Sequence, residues 1–216
     1  MKLIGICGFI GSGKNTVADY ISQKYEYQKV SFAAGVKDAV SVLFNWDRKM
    51  LEGDTEESRK WRETPDTWWT EALGYEMSPR LALQLMGTEA GRDVFHPDFW
   101  VIQLKNKLDS DGKYIISDLR FPNEIKAIME LNGLIIRVKR GPEPEWYDTA
   151  YEENRGNFDP LVEVVNPKTM EVDYPQVHIS EWAWVGYDDY FQEVIENDGD
   201  LNDLEEKVNK FMEFMK

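Results

Sequence analysis

The stretch Gly8-Phe9-Ile10-Gly11-Ser12-Gly13-Lys14-Asn15-Thr16 limits what this chain can become more than any other. A short apolar run, Lys2-Leu3-Ile4-Gly5-Ile6-Cys7, precedes it and reads as a buried strand. Val17-Ala18-Asp19-Tyr20-Ile21 comes next with helical spacing. Strand, glycine-rich turn, then a helix with lysine at the end of the turn is the context of a phosphate-binding loop. Glycines let successive backbone N–H groups converge on an anion, and the helix N-terminus adds its partial positive charge. Lys14 contributes a full charge near the outer phosphates. The expected loop ligands are Gly11, Ser12, Gly13, Lys14, Asn15 and Thr16.

Such loops usually carry Ser or Thr directly after the lysine, as a Mg²⁺ ligand. Here Asn15 stands in that place and the hydroxyl comes one residue later, which makes Thr16 a candidate ligand. The pattern Gly-x-x-Gly-x-Gly-Lys-x-Thr resembles nucleoside monophosphate kinases more than GTPases or motor ATPases.

A length of 216 residues suits one domain of moderate size with an insertion or lid. The net charge of −15 argues against a nucleic acid polymer as partner, because that normally needs a basic face. A site for anionic phosphates must then gather its cations locally, against a repelling background. No apolar run approaches the roughly 18 residues that cross a bilayer, so no membrane is expected. Cys7 is the only cysteine; it excludes an intrachain disulfide and suits a reducing cytoplasm.

Residues 27–32 suggest a second strand, and Ala33 to Phe44 a helix with Val36, Ala39, Val40 and Leu43 on one face. Lys37, early in that helix, is either a phosphate contact or half of a solvated pair with Asp38. Residues 46–75 mix Trp46, Trp61, Trp68 and Trp69 with charged residues at poor periodicity. They read as an insertion whose tryptophans either stack on a base or pack a small subdomain. Ser78-Pro79 opens a helix, and Phe99 to Leu104 begins another. Arg80 and Arg92 stand out because a planar guanidinium matches a phosphate with two parallel hydrogen bonds.

Lys113 to Asp118 is a strand ending in a carboxylate, and in open α/β sheets those strand ends line the ligand crevice. Asp118 is placed to hold Mg²⁺ through water, with a helix cap as the alternative. Arg120 would face a transferring or acceptor phosphate. Ile125, Ile128 and Met129 give the next helix a buried face. Residues 134–140 form a fourth strand whose end turns basic, Arg137-Val138-Lys139-Arg140, like the clamping base of a lid. Residues 141–176 suit that mobile lid, with a candidate hairpin pairing Leu161–Val165 with Met170–Tyr174. Tyr190 to Glu196 reads as a last strand; Leu201, Leu204, Val208, Phe211 and Met215 mark a C-terminal amphipathic helix. Two histidines give no basis for a histidine metal site.

Together these segments resemble the bacteriophage deoxynucleoside monophosphate kinases. The resemblance rests on 8–20, Val-Lys-Asp-Ala (36–39), Leu-Gln-Leu-Met-Gly-Thr-Glu (83–89) and Phe-Trp-Val (99–101). It continues through Ser-Asp-Leu-Arg-Phe-Pro-Asn-Glu (117–124), Arg-Val-Lys-Arg (137–140), His-Ile-Ser-Glu (178–181) and the Asn-Asp-Gly before the last helix. It implies an α/β P-loop kinase fold: a three-layer sandwich on a five-stranded parallel sheet. A helical substrate-binding insertion would span about 46–110 and a lid about 141–186 of one domain, 1–216. It also implies ATP and Mg²⁺. Gly11 to Thr16 and Arg140 would bind ATP. Lys37, Arg80, Gly87, Thr88 and Trp100 would border the acceptor, with Asp118, Arg120 and Glu124 between the substrates. Gly11 replaces a basic residue that members of the family can carry, and 141–176 is long for such a lid.

The implied reaction moves the γ-phosphoryl group of ATP onto the 5′-phosphate of a deoxynucleoside monophosphate, with Lys14, Asp118, Arg120 and Arg80 as the catalytic set. The acceptor is a phosphate with a second pKa of about 6, already largely a dianion, so no strong base is required. The alternatives are a kinase of another phosphorylated metabolite, phosphomevalonate- or dephospho-coenzyme-A-like, and a nucleotide-binding switch. Homodimerisation is left open.

Overall fold

The computed structural model describes residues 1–158 and 169–215. Two compact units make up the chain: Met1–Val30 with Leu108–Lys216, and Ser31–Lys107.

The first unit is built on five strands, β1 (Lys2–Cys7), β2 (Gln28–Val30), β3 (Lys113–Ile116), β4 (Leu134–Lys139) and β5 (Glu193–Glu196). They form one parallel sheet in the order β2-β3-β1-β4-β5. Leu3 to Cys7 are all buried, the unbroken apolar run expected of a strand covered on both faces. Alternation along β1 then separates two layers of helix. Ile4 and Ile6 join the core formed with α1 (Lys14–Tyr25) and α11 (Leu201–Phe214). Between them Gly5 points to the other face, where an added Cβ would stand 3.1 Å from Leu119 and 3.4 Å from Ile128 of α7 (Pro122–Glu130). The expected three-layer α/β sandwich is therefore observed. Its order reverses beside β1, with β3 on one side and β4 on the other, and that switch point is where open α/β sheets bind ligands.

Two stripes differ in detail from the sequence reading. Leu204, Val208, Phe211 and Met212 carry the burial of α11, whereas Leu201 is exposed. On α7, Ile125, Ala127 and Ile128 are buried and Met129 is exposed.

The lid segment contributes α8 (Tyr147–Phe158), α9 (Met170–Asp173) and α10 (Ile179–Trp182). Buried Asn154 ties α8 to the end of α10, donating to Trp182 O at 3.0 Å and Val185 O at 2.8 Å. The first arm of the expected hairpin, Leu161–Val165, lies outside the described residues. Its second arm is not a strand: Thr169 caps a single helical turn at Met170–Asp173, accepting from Val172 N–H.

The second unit holds α2 (Ala34–Phe44), α3 (Glu56–Glu63), α4 (Thr67–Leu73), α5 (Pro79–Leu85) and α6 (Phe99–Lys105). From α5 the chain passes into wide π-type turns over Met86–Phe95. Residues 46–75 show little periodicity because their helices run only eight and seven residues. Caps start them instead: Thr55 Oγ1 accepts from Ser58 N–H, and Asp66 Oδ1 from Trp69 N–H. Three of the four tryptophans pack this unit. Trp46 stacks on Phe44 at 4.5 Å and donates to Asp66, Trp61 meets Trp46 edge-on, and Trp69 donates to Phe44 O. Trp68 is 65% exposed. Among the described residues no helix is long and apolar enough to cross a membrane.

Ile136 is fully buried between β1 and β5 in the main core. Ile136→Ala should cost about 2–5 kcal/mol of stability, read as a fall in the urea midpoint at unchanged m-value.

Candidate active site

The loop after β1 turns through Gly8, Gly11 and Gly13, all at positive φ (144°, 80° and 102°). Two of these positions also lack room for a side chain. A Cβ on Gly8 would stand 2.3 Å from Val138 O, and one on Gly13 2.4 Å from Asn197 Nδ2. Between them Ser12 is buried, and its Oγ has no hydrogen-bond partner among the described residues. A buried hydroxyl left unpaired is costly, and an oxyanion in the loop would satisfy it. Lys14 Nζ donates to Gly8 O and Phe9 O, both at 2.7 Å. Burial pulls its pKa down to about 8, the Arg120 guanidinium pushes the same way, and Glu181 and Asp118 oppose them. Burial also pushes the Cys7 thiol up, which makes it an inert strand residue.

Asp118 stands just past β3, half-buried and within the field of Lys14. One residue earlier, Ser117 Oγ donates to Asn15 Oδ1 at 3.0 Å, joining the strand end to the residue after the lysine. Arg120 Nη1 is held by Glu181 at 2.5 Å. Glu124 holds the backbone of the turn that carries Arg120. Only 2% exposed, its Oε2 accepts from the N–H groups of Arg120 (2.7 Å) and Phe121 (3.0 Å), so it caps α7 and shapes the Arg120 turn.

The basic end of β4 does not act as three equal cations. Arg137 is buried: Nη2 meets both carboxylate oxygens of Glu143 at 2.7 Å, and its guanidinium lies over the rings of Phe9, Tyr147 and Trp184. Lys139 also pairs with Glu143, at 3.3 Å. Arg140 is exposed at the strand end. Asn197, just past β5, donates Nδ2–H to Ser12 O at 2.8 Å and its backbone N–H to Lys139 O at 2.7 Å. Asp198 accepts from Gly141 N–H at 2.7 Å.

In the second unit the expected acceptor residues are engaged within that unit. Arg80 forks onto Glu63 at 2.8 and 2.6 Å, and Lys37 pairs with Glu52 at 2.5 Å instead of with Asp38. Trp100 is 5% exposed, with its indole N–H on Gly87 O at 2.8 Å and its ring against Gly91. It supports the 86–95 turn from beneath; Gly87 and Thr88 are half-buried on that turn.

No protein-family profile matches the chain. It is 32% identical over 192 residues to a protein of Acanthamoeba polyphaga mimivirus assigned as a deoxynucleotide monophosphate kinase, covering 82% of this chain and 94% of that protein. The chain belongs to the deoxynucleoside monophosphate kinase family. It is also 28% identical over 183 residues to the deoxynucleoside-5′-monophosphate kinase of Escherichia phage T5, across 61% of this chain and 73% of that enzyme. Similar solved structures include TT1252 from Thermus thermophilus, 17% identical with a TM-score of 0.44, matched over 99% of this chain and 97% of that one. A shikimate kinase from Bacteroides thetaiotaomicron is 10% identical with a TM-score of 0.42, over 99% and 97%. At such scores the fold assignment rests on the strand order and the loop.

For a deoxynucleoside monophosphate kinase the loop residues fit a polyphosphate: a turn of three positive-φ glycines, a buried hydroxyl without a partner among the described residues and a poorly hydrated ammonium. The donor set also fits Mg²⁺, which keeps several waters and takes one or two protein oxygens besides the phosphates. Asp118 and the exposed Thr16 offer those oxygens.

Three contributors went unread in the sequence. Asn197 fastens the loop from the far side of the sheet, and its signal was the Asn-Asp-Gly after β5. Phe9, an unremarkable loop residue, packs on Trp146 at 5.2 Å and Trp184 at 4.8 Å and binds the loop to the lid segment. Ser117 supplies a hydroxyl beside Asn15, the place where the loop itself lacks one.

The Lys14 ammonium should titrate near pH 8, against 10.5 for an ordinary lysine, in an NMR titration of its labelled Cε. Because the folded value lies below the unfolded one, charged Lys14 opposes folding below pH 8. That penalty is relieved as pH rises from about 8 toward 10.5, so Lys14→Met should flatten the stability gain over that window.

Proposed function

We propose that this protein transfers the γ-phosphoryl group of ATP to the 5′-phosphate of a deoxynucleoside monophosphate, giving the diphosphate and ADP. The observation that carries the reading is Lys14, held at the mouth of a glycine loop with Asp118 and Arg120 in its field. A lysine kept poorly hydrated by two carbonyls gains strongly when a phosphate oxygen replaces them. Family membership supports the choice of acceptor.

In this reading the N–H groups of Gly11 to Thr16 and the Ser12 hydroxyl cradle the β- and γ-phosphates. Lys14 and Arg120 take up the charge that spreads over the equatorial oxygens during transfer. Arg140 at the end of β4 belongs to the ATP side. Arg80 and Lys37 release Glu63 and Glu52 to meet the acceptor phosphate, with Gly87 and Thr88 lining it and Trp100 acting through them. Glu124 acts at one remove, by fixing the turn that carries Arg120. Asp118, through water, and Thr16 would hold Mg²⁺, which would supply charge neutralisation for the phosphates. The acceptor is an oxyanion already, so every protein group named serves binding and charge stabilisation and none removes a proton.

A coupled ADP-release assay over deoxy- and ribonucleoside monophosphates tests this. Release should depend on a deoxynucleoside monophosphate; dependence on another phosphorylated metabolite, or slow release without any acceptor, overturns it. Lys14→Met, shown to be folded, should lose at least about 10²-fold in kcat/KM, the scale for deleting one oxyanion-stabilising donor. At pH 8 and above, ATP binding should take up a proton in calorimetry across buffers of different ionisation enthalpy, and Lys14→Met should abolish that uptake.

A further inference from the structure

Arg120 does not stand free for a phosphate. Its Nη1 donates to Glu181 Oε1 at 2.5 Å and lies 3.4 Å from both Ser180 O and Ser180 Oγ. Glu181 sits on α10, whose N-terminus is capped by His178 through Ser180 N–H at 3.2 Å. The Glu181 carboxylate is also felt by Lys14, on which it acts in the direction opposite to Arg120. A carboxylate is thus built into the cluster that has to hold a polyanion. Two features set its strength. The pair is partly exposed, at 35% and 22%, so it is weaker than a buried bridge and open to exchange. It also joins α10 to a residue just past the β3 strand end, so releasing it removes one tie on α10, whose other end Asn154 still holds to α8.

We propose that Glu181 is an exchangeable counter-ion, which competes with nucleotide phosphate for Arg120 and links lid position to phosphate occupancy. Carboxylate and phosphate are both oxyanions that take a guanidinium fork, and the two cannot share one Nη1 donor at full strength. Placing a polyphosphate beside Lys14 also makes the Glu181 charge repulsive where it stands. Exchange of Arg120 from Glu181 to phosphate removes both conflicts in one movement. Part of the nucleotide's binding energy is then used to open the Arg120–Glu181 contact. This inference rests on the proposal that Arg120 binds phosphate.

The test compares wild type with Glu181→Gln, Arg120→Gln and the double variant, by calorimetry with a non-hydrolysable ATP analogue and Mg²⁺, alongside thermal unfolding of each protein. Glu181→Gln should bind the analogue roughly three- to tenfold more tightly, the scale of a partly exposed ion pair no longer competing. It should be no more stable than wild type when free. Arg120→Gln should bind more weakly, and in that background Glu181→Gln should change nothing further. Unchanged or weaker binding by Glu181→Gln, with Arg120→Gln still weakened, would show that the carboxylate merely positions the arginine and overturns the exchange. If Arg120→Gln binds normally, the phosphate role of Arg120 fails and the exchange fails with it. Should Glu181→Gln unfold early, Glu181→Ala read at low temperature gives the same comparison.

Discussion

The structure turns on one lysine held in poor contact with water. Lys14 closes a loop whose glycines let carbonyls and N–H groups approach one another, and its ammonium is carried by Gly8 O and Phe9 O. Burial lowers its pKa to about 8, which leaves it charged at neutral pH without hydration to lose. Electrostatic attraction to an incoming phosphate is strongest in such a place, because the low local dielectric screens it least. The parallel sheet, the two layers of helix and the buried β1 strand all serve to fix that position.

Around the lysine, the chain resolves a conflict of signs. A molecule with a net charge of −15 must gather cations to bind anions, and it keeps several of them paired with carboxylates in the meantime. Arg120 is held by Glu181, Arg137 and Lys139 by Glu143, Arg80 by Glu63, and Lys37 by Glu52. These pairs differ in purpose because they differ in burial. The Arg137 pair is enclosed by Phe9, Tyr147 and Trp184, so it locks the loop to the lid segment. The Arg80 pair reaches solvent and the Lys37 pair is partly enclosed, so neither is locked among aromatic rings as the Arg137 pair is.

What could be read in the chain depends on how local each signal is. The loop and the N-cap at Ser78 are patterns of a few neighbouring residues and appear where expected, and the strand expected over Lys113 to Asp118 is present with its end two residues earlier, at Ile116. Glu124 also had a local signal, Pro122 at the first turn with a carboxylate at the third helical position, which marks a side chain reaching back to the N-cap backbone. The short helices of 46–75 were announced by Thr55 and Asp66 and not by periodicity, which seven or eight residues cannot display. The helical turn at Met170–Asp173 likewise stems from Thr169, where a hairpin arm was expected.

By itself the sequence determined the backbone conformation of the phosphate loop, the parallel sheet and the kind of anion the chain is made for. Those depend on glycine φ angles, buried strands and helix caps, all set over a handful of residues. Only the tertiary structure decided which partner each charge takes. Asn197 reaches Ser12 across 185 positions and Arg120 reaches Glu181 across 61, and such pairings depend on how strands are ordered and where the lid packs. Long, flexible charged side chains carry no periodic signature of their partners, so their roles emerge only when the fold brings them together.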